Sequence, residues 1–249
     1  MEPYVKQTIE NQVGYIEFFH PAHNSLPSNI LAELARTIKN AGEDSNIKVI
    51  VLKSGGDRTF CAGASFEELI SIEDDETGKE FFSGFANVIN AMRKCPKFII
   101  GRVQGKTVGG GVGLASATDY CMATKFAAIK LSELNVGIGP FVVGPAVQRK
   151  LGLSAMSQIA IDANSFFDAE WARQKGLYTQ LFETTEELDE GVKTFAENLC
   201  SYNPKAMTEM KTMFWRGTED WDQLLIQRAK ISGRLVLSEF TKETLKRFK

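Results

Sequence analysis

Short apolar segments alternate with longer amphipathic segments through roughly the first half of this chain. Val49-Ile50-Val51-Leu52 is a fully apolar run typical of a strand buried in a parallel sheet, and residues 98–103 indicate another buried strand. Apolar residues at helical spacing predict one helix over 30–41, with Ser28 as its N-cap, and another over 81–94. Further strands are expected at residues 13–18, 120–123 and 128–131. Because parallel strands need long crossover connections, this alternation predicts an α/β core.

From about Gly144 onward the pattern becomes almost wholly helical. Helices are predicted over residues 145–151, 154–163, 168–176, 186–201, 204–214, 221–237 and the tail 241–249. A length of 249 residues suits one large core with an extension. We therefore expect an α/β core over residues 1–195 and a C-terminal helical region over residues 196–249.

The charge balance and hydropathy of the chain exclude several classes of partner. The 29 Lys and Arg residues against 31 Asp and Glu give a net charge of −2, which provides no general attraction for nucleic acid or an anionic membrane. The sequence contains no apolar run near the ~18 residues of a membrane span, and its first residues do not resemble a signal peptide. We expect a cytoplasmic protein that binds neither nucleic acid nor membrane.

Histidine and cysteine are too sparse, or too scattered, to carry chemistry. The two histidines, His20 and His23, flank Pro21 without a nearby Cys or carboxylate, so we expect a solvated turn and no metal. No two cysteines lie two residues apart, which argues against zinc knuckles and dithiol redox motifs. Buried free thiols are expected at Cys61, Cys95, Cys121 and Cys200.

Two partial nucleotide-binding motifs fail on spacing. Gly105-Lys106-Thr107 resembles the end of a phosphate loop, but the first glycine of that motif would have to stand at Ile100. The glycines at 109–113 would need another glycine at the position of Leu114 or Ser116 to form a dinucleotide fingerprint. We therefore expect neither an NTPase nor a dinucleotide-binding enzyme.

Two junctions where a loop leads into a helix remain as candidate sites. One runs from Phe60 to Ser65 and opens the segment 66–69, and the other is Gly109-Gly110-Gly111, which opens the segment 112–115. Small residues let a ligand approach the backbone, and two free N–H groups aimed at one oxygen form an oxyanion hole. The alternative is that the glycines only allow tight turns and close helix packing, which composition alone favours.

Glu133 is the candidate acid–base residue. It follows an apolar strand, lies between Leu131 and Leu134, and precedes Gly137-Ile138-Gly139-Pro140. Apolar neighbours would raise the pKa of its carboxyl group towards a value useful for proton transfer. The alternative is an ordinary surface glutamate at the end of a strand.

Several segments in this order resemble the crotonase (enoyl-CoA hydratase/isomerase) superfamily. The matching segments are Phe60–Leu69, Gly109–Gly111, Glu133–Pro140, Asn24-Ser25-Leu26, Gln148–Gly152 and Ala169–Leu177. The resemblance implies a crotonase-like core of stacked ββα units with C-terminal helices that form trimers or dimers of trimers and cover the active site. It also implies an acyl-CoA thioester as substrate, with no separate cofactor because coenzyme A is part of the substrate.

The resemblance assigns roles to individual residues. The thioester carbonyl oxygen would lie between the backbone N–H groups of Ala62 and Gly110, which stabilise the enolate, and Glu133 would transfer the proton. Substrate-binding positions implied by the same matches are Cys61, Gly63, Ala64, Gly109, Gly111, Gly113 and Pro140.

One departure from the family pattern affects the reaction. Hydratases with two carboxylates carry a glutamate two residues after the triple glycine, and this position is Gly113 here. An enoyl-CoA hydratase is the first expectation because hydration is commonest among such relatives. The single glutamate instead favours a 3-enoyl to 2-enoyl-CoA isomerase. A decarboxylase that forms an enoyl-CoA and a non-catalytic acyl-CoA-binding subunit are further alternatives.

The anchoring of coenzyme A is the second departure. Ser65 stands where the family often has Asp, and the turn from Pro21 to Asn24 lacks the basic residue that many relatives place near the adenine. The phosphates could meet the basic residues of the tail, although a solvated helix end is the commoner role of such a cluster. These residues are Lys242, Lys246, Arg247 and Lys249.

Overall fold

The computed structural model describes residues 1–247 and contains ten α-helices and eleven strands over that range. The strands, in chain order, are β1 (Tyr4–Glu10), β2 (Val13–Phe19), β3 (Ser25–Leu26), β4 (Val49–Ser54), β5 (Thr59–Cys61), β6 (Gly63–Ala64), β7 (Ile99–Val103), β8 (Lys106–Val108), β9 (Tyr120–Thr124), β10 (Ile129–Lys130) and β11 (Gln180–Phe182). The helices are α1 (Ser28–Glu43), α2 (Phe66–Ile70), α3 (Asp75–Lys94), α4 (Gly110–Ser116), α5 (Gly144–Ile161), α6 (Ala169–Gln174), α7 (Thr185–Cys200), α8 (Pro204–Phe214), α9 (Trp221–Val236) and α10 (Glu239–Lys246). A 3-10 turn covers Glu133–Val136. The expected α/β core with C-terminal helices is confirmed, while residues 248 and 249 of the expected tail helix lie outside the described range.

A six-stranded sheet in the order β1-β2-β4-β7-β9-β11 forms the centre of the fold. All neighbouring pairs are parallel except the β1–β2 hairpin. Strand β7 is buried at every position and β4 at all but one, and the prediction of two buried strands is confirmed. The sequence pattern did not predict strand β1. This strand lies at the edge of the sheet and its residues are mostly exposed and polar, so its sequence shows no alternation of buried apolar and exposed polar residues.

Helices cover both faces of this sheet. On one face α1 packs against α3, and α3 packs in turn against α9. On the other face Leu188, Val192 and Ala196 of α7 contact Val49 and Val51 of β4 in a second apolar cluster. The expected boundary between residues 195 and 196 falls within α7, and the division of the chain at that point stays a prediction.

Helices α3 and α9 cross at a pair of glycines. A Cβ atom added to Gly78 would lie 2.9 Å from the Cα atom of Gly233, and one added to Gly233 would lie 2.8 Å from the amide nitrogen of Lys79. These distances are shorter than van der Waals contact, so only glycine allows the two backbones to approach this closely.

A buried ion pair attaches α8 to the core. The Lys211 Nζ atom lies 2.8 Å from Asp119 Oδ2, and the side chains are only 2% and 6% exposed. The same ammonium group donates to the carbonyl of Lys97 at 2.7 Å, and Trp215 Nε1 donates to Asp119 Oδ1 at 2.9 Å. The carboxylate is thus paired and hydrogen-bonded, as a buried charge requires.

One local prediction about a helix end was wrong. Ser28 begins α1 and does not cap it, because its backbone N–H and its hydroxyl both donate to Glu68 Oε2, at 2.9 and 2.7 Å. The two helices expected over 145–151 and 154–163 are confirmed as the two parts of α5, which are separated by a kink at Gly152, where φ is +80° and the backbone is not helical. In the described part of the chain, the longest and most apolar helices fall short of what crossing a bilayer requires.

Candidate active site

The first junction lies where β6 pairs with β3 and leads into α2. Ser65 caps α2 by accepting a hydrogen bond from the Glu68 amide at 3.3 Å. The Ala62 amide donates to the Asn24 carbonyl at 3.2 Å. The expectation that Ala62 supplies an oxyanion donor is therefore wrong for this conformation, because its N–H already has an acceptor.

Ala64 lies between the two amides of this junction that donate to the β3 segment. The Ser65 amide donates to the Leu26 carbonyl at 3.0 Å, and Ala64 pairs with Leu26 in the register of β6 with β3. The second junction lies beside this segment, since a Cβ added to Gly63 would lie 3.5 Å from the Gly110 nitrogen. Ala64 and Gly110 line the same cavity.

The second junction needs all three glycines, each for a different reason. Gly109 has φ of +54° and caps α4. A Cβ added to Gly110 would lie 2.3 Å from the ring of Phe85, and one added to Gly111 would lie 2.6 Å from the carbonyl oxygen of Cys61. The alternative role of these glycines, which is to allow close packing, therefore applies at this junction. Gly110 is also the first residue of α4, where the amide lacks an acceptor within the helix.

Glu133 opens the 3-10 turn and has a shielded carboxylate. The residue as a whole is half-buried, but its Oε2 atom is shielded from solvent and has no hydrogen-bond partner within the described residues. Burial raises the pKa of Glu133 from 4.5 to about 7, which confirms the direction expected from its apolar neighbours. The carboxylate lies beside the second junction, since a Cβ added to Gly109 would lie 3.2 Å from Glu133 Oε1.

The two junctions and Glu133 open onto one cavity of about 350 Å³. Among the residues that the structure describes, Glu133 is the only ionisable side chain in its wall, and the hydroxyls come from Ser25, Ser132 and Ser232. The apolar part of the wall comprises Phe66, Leu69, Phe81, Phe82, Phe85, Val136, Ile138, Pro140, Phe141, Val142 and Val143. A mostly apolar cavity with few polar groups is typical of a small-molecule site.

Most of the expected site residues line this cavity, and three do not. The wall includes Ala62, Gly63, Ala64, Gly109, Gly110, Glu133 and Pro140. Cys61 lies behind the wall, fully buried, and burial raises the pKa of its thiol to about 12. Gly111 packs on Cys61, and Gly113 faces Val143. These three positions support the wall from behind and do not line the cavity, and their role in substrate binding stays a prediction.

Val143 occupies the place where a second acid was considered. A Cβ added to Gly113 would lie 2.5 Å from Val143 Cγ1 and 2.7 Å from Val143 Cβ. Val143 is itself 4% exposed and lines the cavity. The wall at this point is therefore a branched alkyl group, and a side chain at position 113 has no room.

Sequence reasoning missed the side chains that shape the cavity from distant elements. Phe81, Phe82 and Phe85 were assigned only to a helix, and their spacing on one face of α3 was the available signal. Val143 and Ser232 had no signal, because their place in the wall depends on how α5 and α9 pack.

The remaining candidates lie elsewhere. His23 sits in a turn with φ of +55°, and His20 Nδ1 accepts a hydrogen bond from the Ala22 amide at 3.3 Å. Among the described residues, no three His, Cys, Asp or Glu side chains cluster as metal ligands would. Lys242, Lys246 and Arg247 are exposed at the end of the chain's last helix, whereas Lys249 lies outside the described residues.

Comparisons with known proteins agree on one family. The family described as enoyl-CoA hydratase/isomerase matches residues 8–249. A peroxisomal Delta(3,5)-Delta(2,4)-dienoyl-CoA isomerase of Arabidopsis thaliana is 26% identical over 231 residues, which cover 86% of this chain and 81% of that protein. A probable enoyl-CoA hydratase of Bacillus subtilis is 25% identical over 246 residues, covering 98% and 95%. The crystal structure of enoyl-CoA hydratase from Bacillus halodurans superposes with a TM-score of 0.89 at 23% identity, covering 98% and 99%.

Proposed function

Because this chain belongs to the enoyl-CoA hydratase/isomerase family, as its motifs predicted, we propose that it isomerises a 3-enoyl-CoA thioester to the 2-enoyl-CoA thioester. One observation carries this choice between the family's reactions. Glu133 faces a cavity in which Val143 fills the place considered for a second acid. Moving a double bond needs one group that removes and returns a proton, whereas hydration also needs a group that holds and activates water.

The two backbone junctions would bind the thioester carbonyl. The amides of Ala64 and Gly110 border the same cavity from neighbouring backbone segments. Their N–H groups can donate to the carbonyl oxygen, on which negative charge develops when a proton leaves the adjacent carbon. Fixed donors of this kind typically lower the barrier by about 3–4 kcal/mol each. Ala64 thus takes the role first assigned to Ala62.

Glu133 would carry out both proton transfers. Its carboxylate takes a proton from C2 of the 3-enoyl chain, and the electron pair left on C2 delocalises onto the thioester oxygen. The neutral acid then returns the proton to C4, which places the double bond between C2 and C3. The reaction consumes and releases no proton overall, and the carboxylate of Glu133 is regenerated. A carboxyl group with a pKa of about 7 is present in both protonation states near neutral pH, as a group that must both accept and donate requires.

Hydration is the second candidate because one relative is named as a probable enoyl-CoA hydratase. The two reactions separate in heavy-oxygen water. We would incubate the protein with 3-enoyl and 2-enoyl thioesters in H₂¹⁸O and analyse the products by mass spectrometry. Isomerisation predicts that the double bond moves and no label enters, whereas incorporation of label would establish hydration and refute the proposal.

The role of Glu133 needs a variant and a matched control. Glu133→Gln removes the base but keeps the size of the side chain, and we expect a loss of ~10²–10⁴-fold in kcat with thioester binding retained. Glu67→Gln makes the same change on an exposed part of α2 and should leave kcat unchanged. Binding without turnover by the unaltered protein would point to an acyl-CoA-binding subunit.

A further inference from the structure

The last helix, α10, packs directly on the turn that carries Glu133. Gly137 closes this turn with φ of +80°. A Cβ atom added to Gly137 would lie 2.4 Å from Thr241 Oγ1 and 2.6 Å from Phe240 Cδ1. The first turn of α10 therefore rests on the backbone of Gly137, and no side chain fits between them.

Thr241 is the buried residue of this contact. It is fully buried, while the neighbouring Lys242 is exposed. Ser238 caps α10 by accepting from the Thr241 amide at 3.3 Å, and its hydroxyl donates to Thr241 Oγ1 at 3.1 Å. The cap and the contact with Gly137 thus meet in a single side chain, which fixes the start of α10 against the turn.

The backbone of the turn sets the position of the Glu133 carboxylate. The amides of Gly137 and Ile138 both donate to the Glu133 carbonyl, the latter at 3.0 Å. No hydrogen bond from another described residue orients Glu133 Oε2. Because the side chain lacks such a tether, its aim into the cavity depends on the backbone conformation that these two amides hold.

An apolar cluster extends the contact to the cavity wall. Leu245 of α10 packs with Val236 of α9 and with Ile138, which also lines the cavity. An isolated helix of eight residues is not stable in water, so α10 keeps its conformation only through contacts of this kind. The contacts with the turn therefore stabilise α10, and α10 in turn stabilises the conformation of the turn.

We propose that Thr241 is a positioning residue, through which α10 holds the 133–137 turn in the conformation that aims Glu133 into the cavity. The inference rests on the proposed function in so far as Glu133 is the base, but its structural part can be measured without turnover. The competing explanation is that α10 only covers apolar surface, in which case loosening it would leave the turn unaffected.

Three substitutions separate these explanations. Thr241→Ala removes the atoms that touch Gly137, Thr241→Val keeps a side chain of the same shape, and Glu243→Ala alters an exposed residue of the same helix as the matched control. Two quantities would be measured: hydrogen exchange at the amides of Gly137 and Ile138, and kcat and KM for the 3-enoyl thioester. Thermal unfolding of each variant would verify that it is folded.

The positioning role predicts a specific pattern. In Thr241→Ala, exchange at both amides should accelerate about tenfold through local opening, and kcat should fall about tenfold with KM nearly unchanged, because small displacements of a catalytic group are costly. Thr241→Val should stay within about twofold of the unaltered protein, and Glu243→Ala should match it. Acceleration confined to the amides of α10, or a kcat for Thr241→Ala equal to that of Glu243→Ala, would overturn the proposal. If Glu133→Gln keeps full turnover while exchange at the amides of Gly137 and Ile138 still accelerates in Thr241→Ala, the proposed function fails. The structural role of Thr241 in holding the turn is then still supported.

Discussion

The shielded carboxylate of Glu133 should make the protein less stable as pH rises through neutrality. Burial raises its pKa in the folded state from 4.5 to about 7. Between these values the folded protein retains a proton that the unfolded chain releases. Stability from this group is therefore fully present below about pH 4.5 and is lost as pH rises to about 7.

The size of the effect follows from the same two values. Each pH unit between them is worth about 1.4 kcal/mol, so the penalty at pH 8 is at most about 3.5 kcal/mol. Glu133 is half-buried as a residue, so water in the cavity reduces this upper bound. Glu133→Gln removes the titration while keeping the shape of the protonated acid. The variant should match the unaltered protein at pH 4.5 and be more stable by up to about 3 kcal/mol at pH 8.

Urea unfolding of the two proteins at several pH values between 4.5 and 8 measures this difference. Comparing the pair cancels the contributions of the other titrating groups, and only the pH dependence of the difference is interpreted. For a chain of this size, 3 kcal/mol corresponds to roughly 6–12 °C in Tm. Stability curves that run parallel over the whole range would refute the reasoning, because they would mean that Glu133 ionises in the folded protein as it does in water.

Three further predictions concern the reaction and the packing around the site. The kcat/KM for a 3-enoyl thioester should rise with pH and level off above about pH 7, since the carboxylate form of Glu133 is the base; a profile that is flat from pH 5.5 to 8.5 would contradict this. Gly113→Ala should cost about 1–3 kcal/mol in unfolding free energy because its Cβ collides with Val143, and Val143→Ala in the same chain should recover part of that loss; strictly additive losses in a double-mutant cycle would count against it. Lys211→Met should cost about 3–5 kcal/mol because it leaves Asp119 buried without its partner, as measured by urea unfolding, and a loss below about 1 kcal/mol would show that the pair is dispensable.

The central elements of the fold could be predicted because the pattern of apolar residues in their sequences indicates which positions are buried. Strand β4 begins with four apolar residues, β7 is apolar apart from Gly101 and Arg102, and helix α3 repeats its apolar residues at helical spacing, so each has a local signal. Strand β1 has no such signal, since its partner β2 and not its own sequence makes it a strand.

The site was predictable in part. Glu133 was found because its apolar neighbours, Leu131 and Leu134, are adjacent in sequence, and the two junctions were found because small residues cluster there. The choice between Ala62 and Ala64 depends on which amide donates a hydrogen bond to the β3 segment. That is set by the register of β6 with β3, which depends on tertiary structure and cannot be read from the local sequence. The contact between Gly113 and Val143 joins residues 30 positions apart and depends on the placement of α5. No local pattern encodes it.

The glycine crossing of α3 and α9 limits how the cavity can vary in size. Phe81, Phe82 and Phe85 enter the wall from α3, and Ser232 enters it from α9, directly before Gly233. At Gly78 and Gly233 the two backbones already touch, so the helices cannot come closer. Any other residue at either glycine can only move them apart. Closer approach of α3 and α9 therefore cannot narrow the part of the cavity that they line, and substitution at these two glycines can change the separation of the helices in one direction alone.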